Sequence, residues 1–326
     1  MTRRDFFWLA GCGISTGAAA APVPKDIDPG IQKLLFWRGD RIRVIGPDGT
    51  NEADLPGMKD LKSIDFPVIQ CPTLSTDGKR LAWIYADPKR GTKLYIREFE
   101  GTGAGEFTKE GLTPKKWIGP NELVVRWEVH DPKDKPRWQY HVYDASTGKT
   151  KPLEIPSDES PMTVLLDETI LSYRSLGFDK VWQRSIGEVL LRRRNGEPKL
   201  ILKDSESEAF AGAYLSGDGK RVAFFRSNPK VGWPNNQTKW QIFVQTLDGA
   251  KSMLIATIPE GSVMNGLAWE PSGKRLAYTT SPYSQPANEL TSVLFIVDSK
   301  GGKPKAIAER DPKANNEQPL QLLEWR

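Results

Sequence analysis

Apolar, β-branched and aromatic residues occur along this chain in short runs, each set off by a turn rich in glycine, aspartate or asparagine. The stretch "LSGDGKRVAFF" from Leu215 shows the unit: an apolar residue, the pair Asp218-Gly219, two basic residues, then an apolar run. "LSTDGKRLAW" from Leu74 repeats it with Asp77-Gly78, and "WEPSGKRLAY" from Trp269 repeats it with Ser272-Gly273. Such text predicts a β-hairpin, because Asp-Gly supplies the positive φ of a two-residue type I′ loop and the flanking residues suit a pleated, buried surface. A second hairpin follows in each unit, through "KLYIREF" from Lys93, "QIFVQTLDGAKSMLIAT" from Gln241 and "VLFIVDSKGGKPKAIAE" from Val293. Each unit is therefore four strands, a to d.

Looser copies fill the intervals. "WIGPNELVVRWEV" from Trp117 with "QYHVYDASTGKTKPLEI" from Gln139 makes one, and "VLLDETILSYRSL" from Val164 with "EVLLRRRNGEPKLILKD" from Glu188 makes another. "LLFWRGDRIRVIGPDGTNEADL" from Leu34 supplies strands b, c and d but no strand a, whereas "LQLLEWR" from Leu320 reads like the strand-a text "NGLAWEP" from Asn265 and is followed by nothing. Starts of strand a at Leu74, Trp117, Leu165, Leu215, Trp269 and Trp325 space the units about 50 residues apart, close to the blade length of propeller repeats. The pattern predicts an all-β chain: a six-bladed β-propeller of four-stranded antiparallel blades. Its N-terminal blade is completed by the C-terminal strand, and one domain covers residues 31–326.

The repeated motif, well kept from Leu74 and Leu215 and less so from Trp269, resembles the repeat of TolB-like propellers, also found in the propeller domains of prolyl-oligopeptidase relatives. The copies at Trp117 and Leu165 lack the Asp-Gly pair. The resemblance runs from about Ile31 to the end of the chain; it implies the fold strongly and the function weakly, since one scaffold carries many activities. Likeness to TolB would imply a periplasmic partner of an outer-membrane lipoprotein, but the N-terminal domain that accompanies that propeller has no counterpart here.

Residues 1–20 have a different character. In "MTRRDFFWLAGCGISTGAAAAP" the pair Arg3-Arg4 precedes Phe6 and an apolar stretch, and Ala18, Ala19 and Ala20 precede Ala21-Pro22. This reads as a twin-arginine export signal with a small-residue cleavage site, followed by a short linker over 21–30, and places the mature chain in the periplasm or elsewhere outside the cytoplasm. "LAGC" ending at Cys12 could also be a lipoprotein box, but the apolar run before it is short for one. With the signal gone Cys71 is the remaining cysteine, so no intramolecular disulfide forms, and its setting suits a small buried hydrophobe. No second apolar segment is long enough to span a bilayer.

Charge and motif chemistry exclude more than they offer. The net charge is +5, spread over many lysines, and Arg192-Arg193-Arg194 sits at a c–d turn beside Asn195-Gly196 as a solvated edge. Nucleic acid is not the expected partner of an exported chain. "GISTG" from Gly13 spells a nucleophile elbow inside the signal, and "STGK" from Ser146 falls on a hairpin turn with no following helix, so neither has the context its chemistry requires. The two histidines, His130 in a loop and His141 on strand c of the third blade, make no convincing metal set with Asp131 and Asp134.

The candidate site is in the loops. Long b–c connections from His130, Asn228 and Pro282 carry Trp138, Trp233, Asn235, Asn236, Trp240 and Tyr283 to one face, and exposed aromatics with amide neighbours suit recognition. The d–a connections bring Asp65, Glu110, Asp158, Glu159, Glu206, Glu208, Glu260 and Glu317 near the starts of the innermost strands. Isolated loop carboxylates are ordinarily just solvated; gathered at a channel mouth, they would attract a divalent cation or a basic segment of a partner. The expectation is an exported, monomeric, non-catalytic propeller without a cofactor, binding a protein or envelope component through this face. The competing class is a lyase or hydrolase acting on a polysaccharide or peptide, with two of these carboxylates as acid and base.

Overall fold

The computed structural model describes residues 33–38, 41–54, 69–77, 79–87, 91–98, 109–129, 137–165, 167–180, 184–193, 196–205, 209–227, 239–249, 251–282, 291–310 and 320–325. Their strands form six four-stranded antiparallel sheets, the blades of an all-β propeller. The first blade is split. Its strands b to d are Leu34–Arg38, Arg41–Ile45 and Ala53–Asp54, and its innermost strand is Gln321–Trp325. Leu34 faces Trp325 and Trp37 faces Gln321, with a bulge between Leu35 and Phe36.

Contacts group blades 1, 4, 5 and 6 into one compact unit and blades 2 and 3 into another. In the larger unit three apolar clusters fill the spaces between neighbouring sheets. Leu34, Phe36, Ala268, Leu294, Leu322 and Trp325 join blades 1 and 6, Tyr214, Trp240, Ile242 and Trp269 join blades 5 and 6, and Leu171, Val189, Leu215 and Phe224 join blades 4 and 5. In the smaller unit Ala82, Leu94, Trp117, Val125 and Tyr143 do the same for blades 2 and 3. Both faces of an inner strand are thus covered, which is why the strands read as nearly continuous apolar runs such as Val222 to Phe225, all buried.

Two details of the repeat differ from the sequence reading. Residues 74, 117 and 215, taken there as starts of strand a, are its ends: Ile69–Leu74, Leu112–Trp117 and Ala209–Leu215. Cys71 is within the first of these. The a–b turn is also longer than a two-residue I′ loop. Ser216 N donates to Arg221 O at 2.8 Å and Gly219 N donates to Ser216 O at 2.9 Å. Gly219 alone has a positive φ, +63°. Asp218 stays right-handed because its carboxylate accepts from the Ser216 hydroxyl at 2.5 Å and the Lys220 amide at 3.1 Å, a local cap that fixes the turn. Asp77 repeats this, with the Ser75 hydroxyl at 2.6 Å and the Lys79 amide at 3.1 Å.

Blades 3 and 4, whose copies of the motif lack the Asp-Gly pair, turn one residue sooner, Ile118 N donating to Glu122 O and Leu165 N to Thr169 O, both at 2.9 Å. In the latter Glu168 takes the left-handed position, with φ +61°.

The arginine of each strong motif reaches the next blade. Arg80 Nη1 donates to Pro120 O at 2.9 Å, Arg221 lies 5.5 Å over the Trp269 ring, and Arg275 lies 5.0 Å over Trp325. Indole N–H groups make the complementary tie. Trp117 Nε1 donates to Thr73 O at 3.0 Å, and Trp269 Nε1 donates to Tyr214 O at 2.8 Å.

Candidate functional site

Antiparallel order puts b–c and d–a connections at one end of each blade and a–b and c–d turns at the other. In blades 3, 5 and 6 the turns are short and closed by backbone hydrogen bonds; Asp144, for instance, donates its amide to Lys149 O at 2.9 Å. The b–c connections of these three blades are longer, covering residues 130–136, 228–239 and 283–292 between paired strands. In blade 5 the two kinds of connection meet, where Lys239 Nζ lies 3.2 Å from Glu260 Oε2, both side chains more than half exposed.

Of the carboxylates singled out in the sequence, Asp65, Glu206, Glu208 and Glu317 lie outside the described residues, as do Trp233, Asn235, Asn236 and Tyr283. Glu110 ends the outermost strand of blade 2, Lys109–Glu110, two residues before the innermost strand of blade 3, Leu112–Trp117. Trp138 is in strand c of blade 3, Arg137–Asp144. The side chains of both are outside the described set. Asp158 is exposed in the turn before strand a of blade 4. Glu159, read as a loop residue, opens that strand and is 4% exposed.

Trp240 corrects the expectation of an exposed ring. It opens strand c of blade 5, Trp240–Thr246, and alternation turns it into the core, 6% exposed. Among the described residues no group of three or more His, Cys, Asp or Glu side chains is placed to hold a metal ion. Nor, among them, is any helix long and apolar enough to cross a membrane.

The feature that sequence reasoning missed is basic and lies in blade 3. Its innermost strand, Leu112–Trp117, pairs Thr113 with Arg126 and Pro114 with Val125, then slips register before Lys116 pairs with Val124. Lys115 is the extra residue of this bulge, a device that re-aims a side chain. It is half-buried. Burial of its ammonium first, and the nearby Arg126 guanidinium second, pull its pKa down from 10.5 to about 7. Arg126 faces Tyr140 across the b–c strand pair. Burial pushes the Tyr140 phenol up, against the opposing effects of its hydrogen bond with the Ser160 side chain and the charge of Arg126.

Lys115 thus stands near a second cation, Arg126, which itself lies near the Tyr140 phenol. No periodicity or motif signals it: "LTPKKW" carries the proline and paired lysines of an ordinary surface strand, and only the bulge distinguishes Lys115 from Lys116. Such a group can bind an anion or act as a neutral amine near pH 7.

These observations define a six-bladed propeller with the TolB-like fold. The structure of TolB from Acinetobacter baumannii superposes with a TM-score of 0.60 at 14% identity, over 90% of this chain and 67% of that one. A putative TolB from Agrobacterium tumefaciens gives 0.51 at 13% identity, over 90% and 98%. An oligogalacturonate lyase in complex with manganese gives 0.52 at 13% identity, over 83% and 71%. At these identities the likeness is one of fold. No family model matches the chain, and no curated protein does.

Proposed function

We propose that this chain is an exported, non-catalytic propeller that binds a protein or an envelope component at the blade ends carrying the b–c and d–a connections. The observation that carries this reading is the contrast in connection length. In blades 3, 5 and 6 the a–b and c–d turns are closed by their own hydrogen bonds and leave little to offer a partner, whereas the b–c connections of the same blades, residues 130–136, 228–239 and 283–292, add length where no blade needs it. The fold shared with TolB from Acinetobacter baumannii agrees with a binding role.

A photoreactive amino acid placed at Trp138, Trp233 or Tyr283 is expected to crosslink one partner in envelope extract, and the same group at Ser146 or Lys300, on the short-turn side, is expected not to. Equal crosslinking from both sets would sink the reading. For export, Arg3→Lys with Arg4→Lys should leave an uncleaved precursor in the cytoplasm, because twin-arginine recognition needs the guanidinium pair whereas general secretion needs only charge. Normal processing of that variant would make the signal an ordinary secretory one.

A further inference from the structure

We propose that the b–c hairpin of blade 4 docks on the surface of an anionic lipid bilayer, with Leu176 and Phe178 entering the interface. The inference deepens the loop-end reading, on which it rests, by naming a lipid surface as the envelope component.

The hairpin is formed by strand b, Ile170–Asp179, and strand c, Arg184–Arg192. Strand d ends at Lys203, which pairs with Glu188. Three further pairs of strands b and c lie beyond that point: Gly177 with Ile186, Phe178 with Ser185 and Asp179 with Arg184. The blade thus continues as a two-stranded ribbon past its own outermost strand.

The base of the ribbon is fixed. Gly187 N donates to Asp204 Oδ2 and Asp204 N donates to Gly187 O, both at 2.9 Å, while Asp204 Oδ1 accepts from Phe210 N at 3.0 Å. Arg174 Nε donates to Glu188 Oε1 at 2.7 Å, and the Tyr173 ring occupies the space that a Cβ at Gly187 would need. Just past this base Leu176 is inserted as a bulge and Gly177 follows with φ +149°, a device that re-aims a strand.

Beyond the bulge the apolar side chains face solvent. Leu176 is 49% and Phe178 57% exposed, and Ser175, Gly177 and Ser185 are exposed as well. Exposure at consecutive positions of a strand means that both faces of the ribbon are open. A flat protein surface would cover one of them, whereas a lipid interface surrounds both. Pairing between the two strands keeps backbone hydrogen bonds inside the ribbon, so a shallow entry does not strand them away from water. Charge selects the lipid. The chain carries a net charge of +5, and the end of the ribbon is positive in sum, Lys180 and Arg184 against Asp179, however these three pair. Such a protein is drawn to anionic headgroups, and apolar side chains then hold it there.

The test is sedimentation of the full chain with vesicles of phosphatidylcholine, with and without phosphatidylglycerol. Binding is expected to the anionic vesicles, and Leu176→Ser with Phe178→Ser should weaken it about tenfold or more, since both side chains bring apolar area into the interface. Both residues are exposed, so the urea midpoint of this variant should match that of the wild type. Met253→Ser with Leu254→Ser, at exposed positions on the outermost strand of blade 5, should bind as the wild type does. Residues 1–20 include an apolar stretch of their own, so a local reading accompanies sedimentation. An environment-sensitive fluorescent amino acid in place of Phe178 should shift its emission to the blue on anionic vesicles, and in place of Met253 it should not. Absence of vesicle binding, equal binding by the wild type and the hairpin variant, or no shift at position 178 overturns the proposal. Crosslinking of a protein partner from Trp138 or Tyr283 alongside any of those results would leave the loop-end reading standing.

Discussion

Trp269 shows how much one side chain of this repeat does. It is fully buried, its indole N–H donates to the Tyr214 carbonyl of the preceding blade, and Arg221 of that same blade covers its ring. Trp117 makes the equivalent donation to Thr73 O. A tryptophan at the end of an innermost strand thus ties two sheets through both packing and a polar contact, which an aliphatic residue there could do only in part. Trp269→Phe keeps much of the ring and removes the donor, leaving a buried carbonyl short of its partner, and should cost about 1–3 kcal/mol. Trp127, 37% exposed, is the control: Trp127→Phe should stay within about 0.5 kcal/mol. Urea denaturation of the two variants checks this, and similar midpoints would mean that the indole hydrogen bond contributes nothing to joining the blades.

At the scale of the element, the hairpins were legible because their turns are written in side chains. Ser216-Gly217-Asp218-Gly219 closes itself through the Asp218 carboxylate, so four residues specify where strand a ends and strand b begins. The turn type was misread because Asp-Gly favours both the I′ loop and this longer form, and the choice depends on Ser216, whose amide and hydroxyl both lie in the loop. Trp240 was misplaced for a related reason: "TKW" has no turn residue between loop and strand, so nothing local shows that alternation begins at the tryptophan. The basic pair after each turn was read only as part of the motif. In the structure Arg80, Arg221 and Arg275 are inter-blade contacts, a role invisible until neighbouring sheets are set side by side. Lys115 escaped notice because a bulge leaves no mark in a sequence lacking glycine at that point. The acidic loop residues stood out only by composition, and of these Glu260 has a lysine neighbour and Glu159 is core.

At the scale of the molecule the decisive feature is the split first blade, and it was the most legible of all, since a unit lacking strand a and a strand a lacking its unit predict one another. The innermost strand Gln321–Trp325 pairs with Leu34–Arg38 and packs Leu320, Leu322 and Trp325 against Ala268 and Leu294 of blade 6. Blade 6 and this strand also approach closely at Gly266, where a Cβ would lie 2.5 Å from Leu322 O, so the sixth blade is shaped to receive the C-terminal segment. Removing residues 320–326 would expose an unpaired edge on Leu34–Arg38 and leave the apolar face of blade 6 uncovered. Trp325→Ala alone should cost about 3–5 kcal/mol as a large-to-small core change, and the deletion should cost more because a whole strand of backbone hydrogen bonds goes with it. If closure acts as inferred, a synthetic peptide of residues 319–326 added in excess should restore part of the lost stability, since it binds the folded form alone. Guanidinium denaturation of the truncated chain with and without the peptide reads both effects, and a truncated chain as stable as the full one would show that the first blade stands without its C-terminal strand.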